Sequence, residues 1–278
     1  HFAIAPARLG ALAFKPSLNN QNTSMRSTIR FATFLVCLAV IASAALGAGS
    51  ERRILVYTKN GKGFVHDNIA ASVEALKKLG VENNIAVDAS DDPSVFTDAN
   101  LKRYKALVFD NTNNEILDTE EQKAALQRYL KAGGGFVGLH SASGSMRQWP
   151  WFWSVLGGKF VRHPKLQPFT IKVKDRQHLS TAHLPESFEW TDEFYFVDNM
   201  PEGLHVLLAG DLTKLNDPAK EKYPGTKFGN EFPLAWCHEV EGGRAWYTAL
   251  GHKKEYYSDP ILTKHILGGI LWAMGETK

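Results

Sequence analysis

The sequence predicts an α/β fold built on a doubly wound, mainly parallel sheet. Two observations carry that expectation. In the first half, short apolar runs alternate with amphipathic stretches at close spacing, the pattern of parallel strands joined by right-handed crossovers. In the second half, strand-like segments follow one another with no long helix until the C-terminus. Antiparallel or mixed strands should therefore extend the parallel nucleus.

The elements follow in order. Arg53–Thr58 (RILVYT) reads as the first strand and leads into a loop with Gly61 and Gly63. From Asp67 to Leu79, the residues Ile69, Val73, Leu76 and Leu79 share one face of a helix, which Gly80 is expected to close. Asn84–Asp88 is the second strand. Lys105–Asp110 (KALVFD), apolar throughout its centre, is a third and buried on both faces. Asp118 or Thr119 caps the next helix, Glu120 and Glu121 suit its first turn, and Leu126, Tyr129 and Leu130 form its apolar face. Gly133 to Gly135 end it, and Gly135–His140 (GFVGLH) is the fourth strand. Phe169–Val173, Phe188–Trp190, Phe194–Val197, Val206–Ala209, Leu234–Val240 and Ala245–Leu250 read as further strands, and Pro260–Met274 as the final helix. Without repeats, low-complexity tracts or an evident linker, residues 49–278 are expected to form one domain.

The N-terminal region has a different character. A short basic stretch from Met25 to Arg30, an apolar run from Phe31 to Leu46 and the small residues around Ala42 to Gly49 have the layout of a signal peptide over residues 25–48. An uncleaved N-terminal anchor is the rival reading, but the run is short for a bilayer span and has no stop-transfer flank. Residues 1–24 are expected to be a leader outside the fold. The mature protein is thus expected to be secreted or extracytoplasmic. Residues 1–50 hold four basic and no acidic side chains, so removing them takes the net charge from +3 to −1. That balance recommends neither nucleic acid nor, after signal cleavage, a membrane as partner. Cys37 would leave with the signal, and Cys237 then has no partner for an intrachain disulfide.

Open α/β sheets bind ligands beyond the carboxyl ends of their strands. His66 follows the first strand, Asn111 the third and His140 the fourth. Later come Trp149, His163, the segment Asp192-Glu193-Phe194-Tyr195, the triplet Trp236-Cys237-His238, and His252. His140 stands where an α/β hydrolase carries its nucleophile, with Gly138 two residues before it. Ala142 replaces the last glycine of G-x-S-x-G, which argues against Ser141 as a nucleophile; Cys237 has no elbow around it. Asp192 and Glu193 alternate along a strand, so only one can face a given pocket. Trp236 and the other strand-end aromatics suit either the core or stacking on sugar rings. Clustered imidazoles with a carboxylate also suit a divalent metal such as zinc, with His140, His238 and His252 as candidate ligands. No H-x-x-x-H or H-E-x-x-H spacing is present, so such a site would be assembled across strands. The loop Lys59–Gly63 has two glycines but no phosphate-binding fingerprint, so neither flavin nor nucleotide is expected.

The segments RILVYTKNGKGFVHDNI, YKALVFDNTNNEIL, AGGGFVGLHSAS, WPWFW, GGKFVRHP, TDEFYFV, PLAWCHEVEGGRAWYTALGH and ILGGILWAMG, in that order, resemble the trehalose-utilisation (ThuA-like) family across nearly all of residues 53–275. The resemblance implies a flavodoxin-like sheet similar to class I glutamine amidotransferases, with His140 at the elbow in place of their cysteine. It also implies a link to trehalose and related disaccharides, in a context similar to pathways that oxidise glycosides to 3-keto sugars. His66, His140, His163, Asp192, Glu193, His238 and His252 fall in the family's motifs. One departure stands out. Many relatives read G-x-H-x-A-x-D-T, whereas here Ser143-Gly144-Ser145 lacks the acidic residue. The expected function is cleavage of a disaccharide or 3-keto-glycoside by histidine acid/base or metal-assisted chemistry. His140 would be base or ligand, His238 or His252 its partner, Glu193 the orienting carboxylate, and Trp236 and Tyr195 the sugar-facing wall. His66, Asn111, Trp149, His163 and Asp192 would complete the substrate site. The alternative is a carbohydrate-binding module without catalysis.

Overall fold

The structure, a computed structural model, describes residues 52–219 and 228–277; the leader and signal-peptide expectations lie outside them. The strands are β1 (Arg53–Tyr57), β2 (Ala86–Ser90), β3 (Ala106–Asp110), β4 (Gly135–Leu139), β5 (Lys159–Arg162), β6 (Gln167–Val173), β7 (Ser187–Asp192), β8 (Phe196–Asp198), β9 (His205–Asp211), β10 (Glu231–Val240) and β11 (Gly243–Thr248). The helices are α1 (Ile69–Glu82), the single turn α2 (Asp98–Leu101), α3 (Glu120–Lys131), α4 (Pro150–Leu156) and α5 (Pro260–Ala273). Nine strands form one sheet in the order β2-β1-β3-β4-β11-β10-β9-β6-β7. From β2 to β11 the pairing is parallel, and from β11 onward it is antiparallel. This is a flavodoxin-like nucleus with an antiparallel extension. Among the described residues, no helix is long and apolar enough to cross a membrane.

The parallel strands are buried on both faces, as their unbroken apolar runs require: every residue of β3 and β4 is buried. Phe109 of β3 stacks on Phe136 of β4 with ring centroids 4.6 Å apart, and Phe152 of α4 meets both rings edge-on. Truncating any of these rings to alanine should cost about 3–5 kcal/mol.

Several elements differ from their expected bounds. Helix α1 runs past Gly80 to Glu82. A Cβ on Gly80 would lie 2.4 Å from Val87 Cγ2, so this glycine serves close packing against β2 rather than a helix stop. The stop is Asn83, whose side-chain amide donates to the Leu79 carbonyl at 2.8 Å, followed by Asn84 in the left-handed region at φ 55°. The second strand accordingly starts two residues later than expected. Thr119 caps α3 through a reciprocal box with Gln122. Helix α4 and strand β5 were not foreseen. Strand β5 pairs with β8 in a separate two-stranded sheet, which takes Phe196–Val197 out of the main sheet. Strand β4 ends at Leu139, one residue before His140.

Candidate metal centre

Because β1, β3, β4 and β11 are parallel, the loops after all four open on the same edge of the sheet. Strand order reverses between β1 and β3, which makes this edge the topological switch point. His66 enters from the loop after β1, His140 directly follows β4, and His252 lies on the loop after β11. Glu193 arrives from the other half of the molecule, at the end of β7. One ligand atom from each of these four residues lies within 4.8 Å of all the others.

His140 is at the centre. It is fully buried and sits at φ 48°, an unusual conformation for a non-glycine residue, at the start of a 3-10 turn over residues 140–144. The register that pairs Leu139 with Thr248 brings its ring to Ala249. Its Nδ1–H donates to the Ala249 carbonyl at 2.7 Å, so in the neutral ring Nε2 carries a lone pair directed into the site. Around that single lone pair stand His66 Nε2 at 3.1 Å, the Tyr195 hydroxyl at 3.0 Å and Glu193 Oε2 at 3.5 Å. One lone pair cannot accept from all of them. Glu193 Oε2 is also 3.2 Å from His252 Nδ1, an approach of charges without a directed hydrogen bond. A tetrahedral ion with ligands at about 2.0–2.1 Å has edges of roughly 3.3–3.4 Å, close to these separations. Three imidazole nitrogens and a carboxylate oxygen therefore fit a divalent cation such as zinc.

The protonation states agree with that fit. Burial, and then the neighbouring His140 and His252, lower the His66 pKa to about 3, which leaves its ring neutral. Burial alone would raise the Glu193 carboxyl, but His140 and His252 beside it hold it well below the usual carboxylate range. The Glu193 carboxylate in turn raises His252. The outer oxygen of Glu193, Oε1, lies 3.5 Å from Nε2 of His163, whose Nδ1–H donates to the Pro164 carbonyl. The His163 side chain keeps 35 % of its surface exposed and stacks beside Tyr195 at the mouth.

A layer of buried groups fixes these ligands. Asp192 accepts from the backbone N–H of Glu193, Gly251 and His252 and from the Trp190 indole, tying two ligand-bearing loops together. Asn68 donates to the carbonyls of Gly251 and His252 and to Asn111. Asn111 lies in this layer, donating to Asp110 and to the Tyr257 hydroxyl, with no surface exposed. Tyr247 holds the His140 carbonyl at 2.8 Å.

The expected site residues divide accordingly. His66, His140, Glu193 and His252 converge, with Tyr195 and His163 against them. Asp192 and Asn111 are buried, with their side chains engaged in hydrogen bonds to the loops and residues around the centre. His238 does not reach it. Strand β10 is antiparallel to β11, so His238 pairs with Ala245, level with Phe136 near the start of β4, and its Nε2–H donates to the Val155 carbonyl. Trp236 is buried against Tyr247 and donates to the Leu156 carbonyl, as a core residue does. Trp149 stacks on Trp151, under Lys123, and does not touch the cluster. Sequence reasoning missed Asn68 and the Ala249 carbonyl; a backbone acceptor carries no side-chain signature that could have revealed it.

A family model described as ThuA, trehalose utilisation, matches residues 53–273. The chain belongs to the trehalose-utilisation family. Among solved structures, the fold of this family member is similar to a ThuA-like protein from Bacteroides uniformis, with 24% identity over 82% of this chain and 93% of that one, at a TM-score of 0.62. A ThuA-like protein from Parabacteroides merdae is similar at 19% identity, covering 81% and 90% of the two chains, also with a TM-score of 0.62. A cytoplasmic protein from Salmonella typhimurium LT2 shares the fold at 12% identity and a TM-score of 0.55, over 81% of this chain and all of that one. No curated protein matches the sequence.

Proposed function

We propose that this member of the trehalose-utilisation family is an exported enzyme that cleaves a disaccharide or 3-keto-glycoside at a divalent-metal centre held by His66, His140, Glu193 and His252. The observation that carries the reading is the convergence of three imidazole nitrogens and one carboxylate oxygen within 4.8 Å, at the ligand-binding edge of the sheet. An ion held there would act as a Lewis acid on a carbonyl or hydroxyl oxygen of the sugar. The protein groups do the rest. The Tyr195 hydroxyl stays protonated, since burial and then Glu193 push it far above its ordinary value, so it can donate a hydrogen bond to substrate oxygen. His163 stands at the mouth beside Glu193, where it can take the proton from a C–H next to a ketone or return one to the departing sugar. The test incubates chelator-treated protein with 3-keto-trehalose and related keto-glycosides, with zinc or manganese restored. Metal-dependent release of free sugar is expected; no turnover with any metal would refute the reading.

A second reading, a carbohydrate-binding module without catalysis, has one observation in its favour: Gly144 stands where many relatives carry an acidic residue. Sugar binding that survives His140→Ala, with neither protein active, would select it.

A further inference from the structure

We infer that the substrate of this centre carries an oxyanion, a carboxylate or a phosphate, and that Arg147 receives it; the inference rests on the carbohydrate reading above. Arg147 lies just beyond the 3-10 turn that His140 opens, and its guanidinium is placed by two sets of neighbours. On one side its Cζ lies 5.7 Å from the ring centre of Phe160. That ring is 4.5 Å from the Tyr195 ring, which is 4.4 Å from His140. On the other side is Gly144, where a Cβ would lie 3.2 Å from Arg147 Nη2 and 2.5 Å from Asn113 Oδ1. Asn113 donates to the Phe64 carbonyl at 3.2 Å, and the Phe64 ring meets His66 edge-on at 4.8 Å. Arg147 thus stands beside Phe160, which packs on Tyr195, and beside Gly144, which lies against the Asn113 side chain.

Among the described residues the guanidinium takes part in no ion pair and donates no hydrogen bond, and it lies over the face of Phe160. Lys59 is paired with Asp118 and Arg162 forks onto Asp217, while Lys253, next to His252, lies over the Tyr256 ring. The missing side chain at Gly144 leaves no carboxylate at the point nearest Nη2. Glu193, the acid at the mouth, is taken up by His140, His163 and His252. A half-buried fork with its donors unspent, steadied by an aromatic face, is suited to bidentate recognition of a planar or tetrahedral oxyanion. Neutral sugar hydroxyls would use the same donors less strongly, because their oxygens carry no charge.

The experiment measures binding of four probes to zinc-loaded wild-type protein, Arg147→Gln and Arg147→Lys by calorimetry. Methyl glucoside and trehalose are the neutral probes, glucuronate the carboxylate and glucose 6-phosphate the phosphate. Wild type is expected to favour an anionic probe over the neutral ones by about 10- to 100-fold. The tighter anion identifies which group the substrate carries. An anion can also contact the metal, so the variants isolate the arginine. In Arg147→Gln the anionic-to-neutral ratio should fall toward one with zinc stoichiometry retained, and Arg147→Lys should lie between. If no sugar binds the zinc-loaded protein, the carbohydrate reading falls and takes this inference with it. If neutral sugars bind and anions bind no better, or if Arg147→Gln keeps the preference, this inference alone is overturned.

Discussion

The molecule holds two groups of buried and half-buried histidines that differ in what their nitrogens do. At the carboxyl edge of the parallel strands, His66, His140 and His252 turn nitrogens toward one another and toward Glu193. His66 Nδ1 and His252 Nδ1 have no hydrogen-bond partner. Around Cys237 the ring nitrogens are turned to backbone and hydroxyl partners instead. His178 Nδ1 accepts from the Ser180 N–H, which leaves its Nε2–H facing Cys237 Sγ at 3.7 Å. His265 donates to the Ser180 carbonyl and accepts from Thr248, and His238 donates to the Val155 carbonyl. Burial pushes the Cys237 thiol up to about 12, far from a reactive thiolate. Nitrogens spent on backbone carbonyls and hydroxyls mark a histidine that supports the fold; nitrogens that converge with a carboxylate on one point mark one poised for a ligand.

Removing a ligand should break this contrast most strongly. His140→Ala or Glu193→Gln should weaken zinc binding by at least ~100-fold in a chelator competition, whereas His238→Gln, remote from the centre, should change it by less than ~2-fold. Equal losses in all three would erase the distinction. Asp192→Asn comes next. It replaces a carboxyl group that accepts from four donors, so it should cost about 2–3 kcal/mol in denaturant unfolding and lower zinc affinity by about 10- to 100-fold.

These contrasts also show what was legible in the sequence. Alternating runs and their spacing identified the parallel nucleus, and strand-end position found His66, His140 and His252. Position alone misled for His238, because an antiparallel strand delivers its carboxyl end to the opposite edge of the sheet. Linear order does not disclose strand direction in the second half. Helix α4 was obscured because Trp149-Pro150-Trp151 reads as an aromatic cluster, although Pro150 in fact sits in the first turn. Arg147 was invisible for another reason: its meaning lies in the absence of a partner, which only the packed structure displays.

In the group around Cys237 the expected effects fall on stability alone. His265→Leu leaves the Thr248 hydroxyl and the Ser180 carbonyl without their partner and should cost about 1–3 kcal/mol, with zinc affinity unchanged. Both groups contribute to acid sensitivity. Folding holds His66 and His265 at about 3 and His178 at about 4, below their ordinary value of 6.5, in each case chiefly by burial. Unfolding below pH 6.5 therefore takes up protons, so the metal-free protein should be fully stable above that pH and lose stability as the pH falls toward 3. Zinc affinity should begin to fall at a higher pH, as His252, raised by Glu193, takes up its proton. The smallest effect is expected at the rim: Phe64 is 63% exposed, so Phe64→Ala should change stability by no more than about 0.5 kcal/mol.

X-ray absorption at the zinc edge of the loaded wild-type protein compares the two groups in one spectrum. One tightly held ion is expected, with a nitrogen and oxygen shell at about 2.0–2.1 Å and the scattering pattern of three imidazoles. A sulfur neighbour at about 2.3 Å would place the ion beside Cys237, and that result, like the absence of tight zinc uptake, would contradict it.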